Sequence, residues 1–309
     1  MNQQGWDSTL LTPRELSKGN ITNVVDNQLV SEKASWRVID RDSGANTVTL
    51  TTLRQRPARE ALKAFTDNAT HTHNQPAFSI SGSNSSSSNK DSSSITQASN
   101  FYIMQTSLEF PSSARGSNST ARAGLKILSS QYESTSVYYQ WSNESMIIDR
   151  ANSSAAHSTT PGIQTSVEAG KLRLFDIYNQ TTNRTEVETL DLTIIVDNAI
   201  VEVWANERFV LSTWVWAWYE ASRGIEFWAG GCKEGVQFGE TKVWEGLVDA
   251  WPERSLRYCI DAVERFDFAT HRSSIQVLII VARMDTESAI HVLNPNSSMA
   301  SLYRCRTSE

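Results

Sequence analysis

Residues 190–231, LDLTIIVDNAIVEVWANERFVLSTWVWAWYEASRGIEFWAGG, restrict most strongly what this chain can become. They form its densest apolar and aromatic segment, and their period is two. Leu190, Leu192, Ile194 and Val196 alternate with Asp191, Thr193 and Ile195, so a strand here presents one continuously apolar face. Asp197-Asn198 follows with turn chemistry, since both side chains bond nearby backbone and tolerate left-handed geometry. Residues 200–204 read as a second strand and 205–208, centred on Asn206, as a second turn. Residues 209–218 read as a third strand and 225–228, closed by Gly230-Gly231, as a fourth. Four short strands at this spacing predict an all-β chain, with an antiparallel meander inside a sandwich or barrel.

At 309 residues the chain is long enough for one large or two ordinary domains and for a core without disulfides. A net charge of -6, with no basic cluster interleaved with aromatics, argues against nucleic acid as a partner. Cys232, Cys259 and Cys305 are odd in number and lack CxxC spacing, so neither a disulfide framework nor a zinc site is indicated. The apolar run at residues 274–282 is too short to span a bilayer, and no membrane partner is expected. Residues 1–10 carry neither a basic nor an apolar signal region. Yet Asn-x-Ser/Thr sequons recur, at Asn20, Asn68, Asn84, Asn118, Asn143, Asn152, Asn179, Asn183 and Asn296. Their excess favours a secretory history, and with it the expectation that the natural N-terminus lies further upstream.

The series Asp197, Val201-Glu202, Trp204, Asn206 and Thr213 resembles the C-terminal β-sandwich of glycoside hydrolase family 32, which holds invertases, inulinases and fructosyltransferases. The likeness runs over residues 101–246, with strands expected at 101–110, 123–128, 136–141 and 145–149. Ile147-Ile148-Asp149-Arg150, with Ser153-Ser154 beyond, resembles the family's Asp-Arg-x-x-Ser segment. Residues 170–175 resemble the strand that precedes the core stretch, and 236–244 the last sandwich strand. Upstream, Gly5-Trp6 leading into Pro13-Arg14-Glu15-Leu16 resembles the end of the family's catalytic five-bladed β-propeller. The resemblance therefore implies a remnant of the last blade at 1–55, a linker helix at 56–65 and the sandwich at 101–246. Residues 66–100, which include SISGSNSSSSNKDSSS, hold too little apolar surface to offset backbone ordering, and a Ser-rich flexible loop is expected there. Residues 247–309 have no counterpart. Their local signals are an amphipathic helix over 256–268 and a strand or helix over 275–281. A propeller edge left without its neighbours is expected to leave residues 1–53 prone to aggregation or disorder.

The family's chemistry is retaining glycoside hydrolysis by two carboxylates about 5 Å apart. Its nucleophile lies in Trp-Met-Asn-Asp-Pro-Asn-Gly, its acid/base in Glu-Cys-Pro and its transition-state Asp in Arg-Asp-Pro. None of these occurs here: Arg41-Asp42 is followed by Ser43, and no Cys follows a Glu. No residue is assigned a catalytic role, and the chain alone is expected to be inactive, with a structural or cleft-shaping part. The resemblance further implies a sucrose or fructan-type carbohydrate as partner, an extracellular setting, no cofactor and, as in some members, a homodimer. A second reading is a free-standing carbohydrate-binding module that uses Glu202, Trp204, Trp214, Trp216 and Trp218, since carboxylates bond sugar hydroxyls and C–H faces stack on rings. Against it, the indoles would pack between sheets while Glu202 sits at the rim, facing the propeller side. Asp197 reads as a turn former and Glu15 as an ion-pair partner of Arg14. His71-Thr72-His73 reads as solvent-exposed histidines in a polar loop, with no third metal ligand in view. No nucleophile elbow, phosphate loop or dinucleotide fingerprint occurs.

Overall fold

The computed structural model describes residues 11–32, 34–81, 94–96, 99–115 and 119–247, together with three strands nearer the C-terminus. It divides into two units, residues 1–248 and 249–309. In the first unit two sheets face one another. One has six strands: β6 (Ser94–Thr96), β8 (Arg122–Ser129), β9 (Thr135–Gln140), β10 (Ser145–Asp149), β11 (Glu168–Lys171) and β17 (Gly224–Gly230), in the order β11-β10-β9-β8-β17-β6. The other holds β4 (His71–Gln75), β5 (Phe78–Ile80), β7 (Phe101–Glu109), β14 (Leu190–Asp197), β15 (Ile200–Ala205), β16 (Phe209–Trp214), β18 (Val236–Phe238) and β19 (Thr241–Glu245). Its path is β16-β15-β14-β7-β18-β5, with β19 bridging β7 and β4. All pairings are antiparallel.

The alternation in β14 does what its pattern demands. Leu190, Leu192, Ile194 and Val196 enter the core between the sheets, with Tyr102, Met104 and Leu108 of β7 and Leu125 and Ile127 of β8. Asn198 closes the two-residue β14–β15 turn, and Asn206 and Glu207 the three-residue β15–β16 turn, all at positive φ, the left-handed geometry that tight hairpin turns need. Asn206 is tied further: its amide donates to Glu188 Oε1 and the Thr189 carbonyl, and its oxygen accepts from the Asp191 N–H.

A third sheet carries the N-terminal segment. β1 (Arg14–Val25), β2 (Trp36–Asp42) and β3 (Thr47–Pro57) are joined by a hairpin of β12 (Asp176–Asn179) and β13 (Arg184–Val187), in the order β13-β12-β1-β3-β2. The hairpin meets β1 where Val24 opposes Ile177. A small core of Val24, Val30, Val48, Leu50 and Phe175 lies under this sheet, with Trp36 edge-on to Phe175 at 5.0 Å. The helix α1 (Arg59–Asp67) follows β3.

Several expectations need correction. Residues 14–25 and 34–57 are ordered into this sheet, not left as unpaired strands, because Phe175 and Ile177 arrive from the sandwich segment to complete its core. Within 66–100, residues 71–75, 78–80 and 94–96 are strands where a flexible loop was expected. They are edge strands paired to β19, β18 and β17: the polar 71–75 strand is held by backbone pairing, while Phe78, Ile80 and Ile95 of the other two also pack into the core. The third strand of the core stretch ends at Trp214 rather than 218, because the Val215 amide turns to the Ala199 carbonyl and Arg150 Nη1 takes the Trp214 carbonyl.

The second unit contains a three-stranded antiparallel sheet of β20 (Leu278–Met284), β21 (Glu287–Leu293) and β22 (Ser301–Cys305). The helix expected over 256–268 lies outside the described residues.

Candidate functional site at the seam of the sandwich

The face of the β7/β14/β15/β16 sheet that points away from the core carries Ile103, Ile195, Glu202 and Trp204. Ile103, Ile195 and Trp204 are buried beneath Leu62 and Phe65 of α1, with Trp244 and Leu247 alongside. Trp204 therefore does not pack between sheets; it packs on the outside, under the linker helix. The Arg14 guanidinium lies over its ring at 5.4 Å. Glu202, next but one on the strand, is only 4% exposed. Its Oε1 accepts from the Thr12 N–H at 2.9 Å and the Thr12 hydroxyl at 2.7 Å. Its Oε2 and the Trp204 indole nitrogen are buried and lack a hydrogen-bond partner among the described residues.

Beside this contact a cleft of about 700 Å³ opens between β1 and β3 on one side and the sandwich on the other. Its walls are charged. Arg56 pairs with Glu15 at 2.7 Å, and Arg54 with Glu207. Arg208 grips Glu188 through both nitrogens, at 2.6 and 2.8 Å, and donates to the Arg173 carbonyl at 3.0 Å. The β3 backbone docks on the β15–β16 turn, the Gln55 N–H to the Glu207 carbonyl at 2.7 Å. Across the seam Arg173 holds Glu144 at 2.7 Å, Glu32 at 2.8 Å and the Leu29 carbonyl at 3.1 Å, and its guanidinium lies over Trp36. The Arg59 N–H and the Arg56 side chain hold the Glu15 carboxyl below its ordinary value. Burial, reinforced by Glu188, pushes Asp191 up. Glu15 is thus the partner of Arg56 and of the α1 N-terminus; the expected pairing with Arg14 is replaced, since Arg14 turns to Trp204 and Gln55.

The five sugar-binding candidates do not form one surface. Glu202 and Trp204 are closed inside the seam. Trp214 and Trp216 stack on each other at 5.7 Å, within 8° of parallel, and are half-buried. Trp218, beyond the strand, is exposed. Asp197 is exposed at the end of β14, and burial around its carboxyl raises its pKa. His71 and His73 lie on β4, not in a loop, and His73 Nε2 meets the buried Glu245 at 2.5 Å. Among the sequons, Asn20, Asn68, Asn143, Asn152 and Asn183 are exposed and Asn179 is half-buried; Asn118 lies outside the described residues, as do Asn84 and Asn296. The buried charges Glu133 and Glu245 were not singled out from sequence, and Arg150 only as part of the Asp-Arg-x-x-Ser likeness, since sequence gives no local sign that a Glu or Arg will be enclosed. Among the described residues no helix is long and apolar enough to cross a membrane.

Comparison with known proteins gives this arrangement its context. The profile described as "Glycosyl hydrolases family 32 C terminal" matches residues 61–245. A β-fructofuranosidase of Aspergillus kawachii, solved with glycerol, is 47% identical with a TM-score of 0.73, over 82% of this chain and 40% of that one. A fructosyltransferase of A. japonicus is 43% identical with a TM-score of 0.73, over 82% and 38%. No curated protein matches the chain. The chain thus spans about two fifths of the length of these solved relatives. With the matched residues and the likeness to these solved structures in agreement, the chain belongs to glycosyl hydrolase family 32, through that family's C-terminal module.

Proposed function

We propose that this chain serves as the C-terminal module of a β-fructofuranosidase-type enzyme acting on sucrose or a fructan outside the cell, and that by itself it is catalytically inactive. The observation that carries this reading is the seam. An apolar floor, a buried carboxylate, the Arg173 bonds to Glu32 and the Leu29 carbonyl, and the Gln55 bonds to the β15–β16 turn fasten the N-terminal segment to the outer face of the sandwich. In this reading β1–β3 are the last blade of a propeller, α1 is the linker, and Glu202 serves alignment. Buried ionic contacts of this kind are costly to break singly, so they hold two bodies in one orientation. The missing Asp-Pro-Asn, Arg-Asp-Pro and Glu-Cys-Pro motifs support the absence of turnover. The exposed sequons fit a secreted glycoprotein.

The test is incubation of the purified chain with sucrose and with inulin, followed by assay of released fructose. No release is expected; turnover proportional to the amount of chain would sink the proposal. A homodimer, which the reading allows, would show in sedimentation as a doubled mass.

A further inference from the structure

Three connections meet at one end of the sandwich: the β8–β9 turn, the β10–β11 loop and the β16–β17 loop. Glu133, 3% exposed, fastens them together. Its Oε1 accepts from the Tyr219 N–H at 2.8 Å and from the Ser222 hydroxyl at 2.5 Å, and its Oε2 accepts from the Ala155 N–H at 2.8 Å. A buried carboxylate with three donors from two distant loops is strongly bound, and it fixes the backbone of each. Three aromatic residues beside this anchor are exposed. Tyr132 precedes Glu133 and is 62% exposed; Tyr219 is 41% and Trp218 53% exposed. The Tyr132 and Tyr219 rings lie 4.9 Å apart at 39°.

Of the four large aromatic side chains exposed among the described residues, three are here; the fourth, Phe101, begins β7. The exposed leucines and isoleucine belong to the N-terminal segment. Beside the rings stand Gln131 and Glu220, both exposed and polar. Charge is balanced: Glu220 pairs with Arg223 at 2.9 Å, and Glu133 is buried and fully bonded. A rigid aromatic ledge with an amide and carboxyl rim and no net charge fits a ligand that has apolar C–H faces and hydroxyl edges. Holding the rings in place before binding reduces the ordering that association would otherwise require.

We propose that Tyr132, Tyr219 and Trp218 form a binding platform for a neutral oligosaccharide chain, separate from the seam. The proposal rests on the carbohydrate reading above; of the expected residues Glu202, Trp204, Trp214, Trp216 and Trp218 it keeps only Trp218 and moves the site to the loop end. It concerns binding without cleavage, so fructose release would overturn the proposed function while leaving the platform untouched.

The test is affinity electrophoresis of the full chain in native gels cast with soluble inulin, with dextran as a second neutral glycan. Retardation by inulin is expected. Tyr132→Ala and Trp218→Ala should each weaken it at least about tenfold, without changing the thermal midpoint, since both side chains are exposed; Phe101→Ala should leave it intact. Retardation by dextran as well supports a platform for neutral glycans in general. No retardation by either polysaccharide overturns the proposal, as does full retardation of the Tyr132→Ala/Trp218→Ala double variant. A chain that sediments as a dimer and becomes monomeric on Tyr132→Ala also overturns it, because the platform would then be a self-association face.

Discussion

The interior of the sandwich and its outer seam are both buried, and they are built from opposite materials. Between the sheets, Tyr102, Met104, Leu108, Leu125 and Ile194 meet with almost no polar side chain among them. At the seam, Glu202, Arg173 and Gln55 do the joining, by directed bonds across sequence separations as large as 190 residues, and the Arg208–Glu188 and Arg173–Glu144 pairs brace the sandwich side. The interior is held by area and shape, which many apolar sequences satisfy. The seam is held by partners that must each be present. It therefore adds less to net stability than its bond count implies, but it fixes how the N-terminal sheet sits.

That contrast can be broken first at the interior. Leu108→Ala should destabilise the chain by about 3–5 kcal/mol in denaturant unfolding, from lost burial plus a cavity that a close-packed core cannot refill. Next comes the seam: Arg208→Ala should cost about 2–4 kcal/mol, because it leaves the largely buried Glu188 carboxylate without its charge partner, held only by the Asn206 amide and the Phe175 N–H. In a double-mutant cycle with Glu188→Ala the losses should be strongly non-additive; additivity would mean the pair contributes independently of its geometry. A smaller effect belongs to Glu15. Its carboxyl is held below the ordinary 4.5, so its contribution is complete above that value and is lost as pH falls through the lowered one. The stability gap between wild type and Glu15→Gln should accordingly narrow on acidification below about pH 4.5; a constant gap would refute the assignment. The smallest effect has the opposite sign. Burial raises Asp191, so the folded state binds that proton more tightly, and the ionised carboxylate is unfavourable above the raised value. Asp191→Asn should slightly raise the thermal midpoint at neutral pH and have no effect in acid.

The interior was legible and the seam was not, for one physical reason. The period-two pattern of residues 190–197 and the turn-forming Asn198 and Asn206 are local signals, and they delivered the meander with its inward face. Nothing local says that Thr12 will bond Glu202, or that Arg56 rather than Arg14 will take Glu15. The strand at 71–75 was missed because an edge strand gains its order from a neighbour's backbone, to which side-chain composition is nearly blind; that at 78–80 was missed because its two core residues, Phe78 and Ile80, are too short an apolar signal inside a polar segment. Trp216 and Trp218 were misplaced because β-prone residues continue past Trp214, while the hydrogen bonds that end the strand come from Ala199 and Arg150. The platform at Tyr132 and Tyr219 joins two turns 87 positions apart, a proximity only the fold creates.

The docking of β12 beside β1 also sets an order of events at the ribosome. The strands β1, β2 and β3 are made before the sandwich, but Phe175 and Ile177, which complete their core, are made only after most of the sandwich has been translated. At about 5–20 residues per second that interval is on the order of ten seconds. Throughout it the nascent sheet offers an open edge and an uncovered apolar face to neighbouring chains. Codon changes that slow elongation between residues 57 and 175 should therefore lower the yield of soluble protein while leaving the stability of what does fold unchanged.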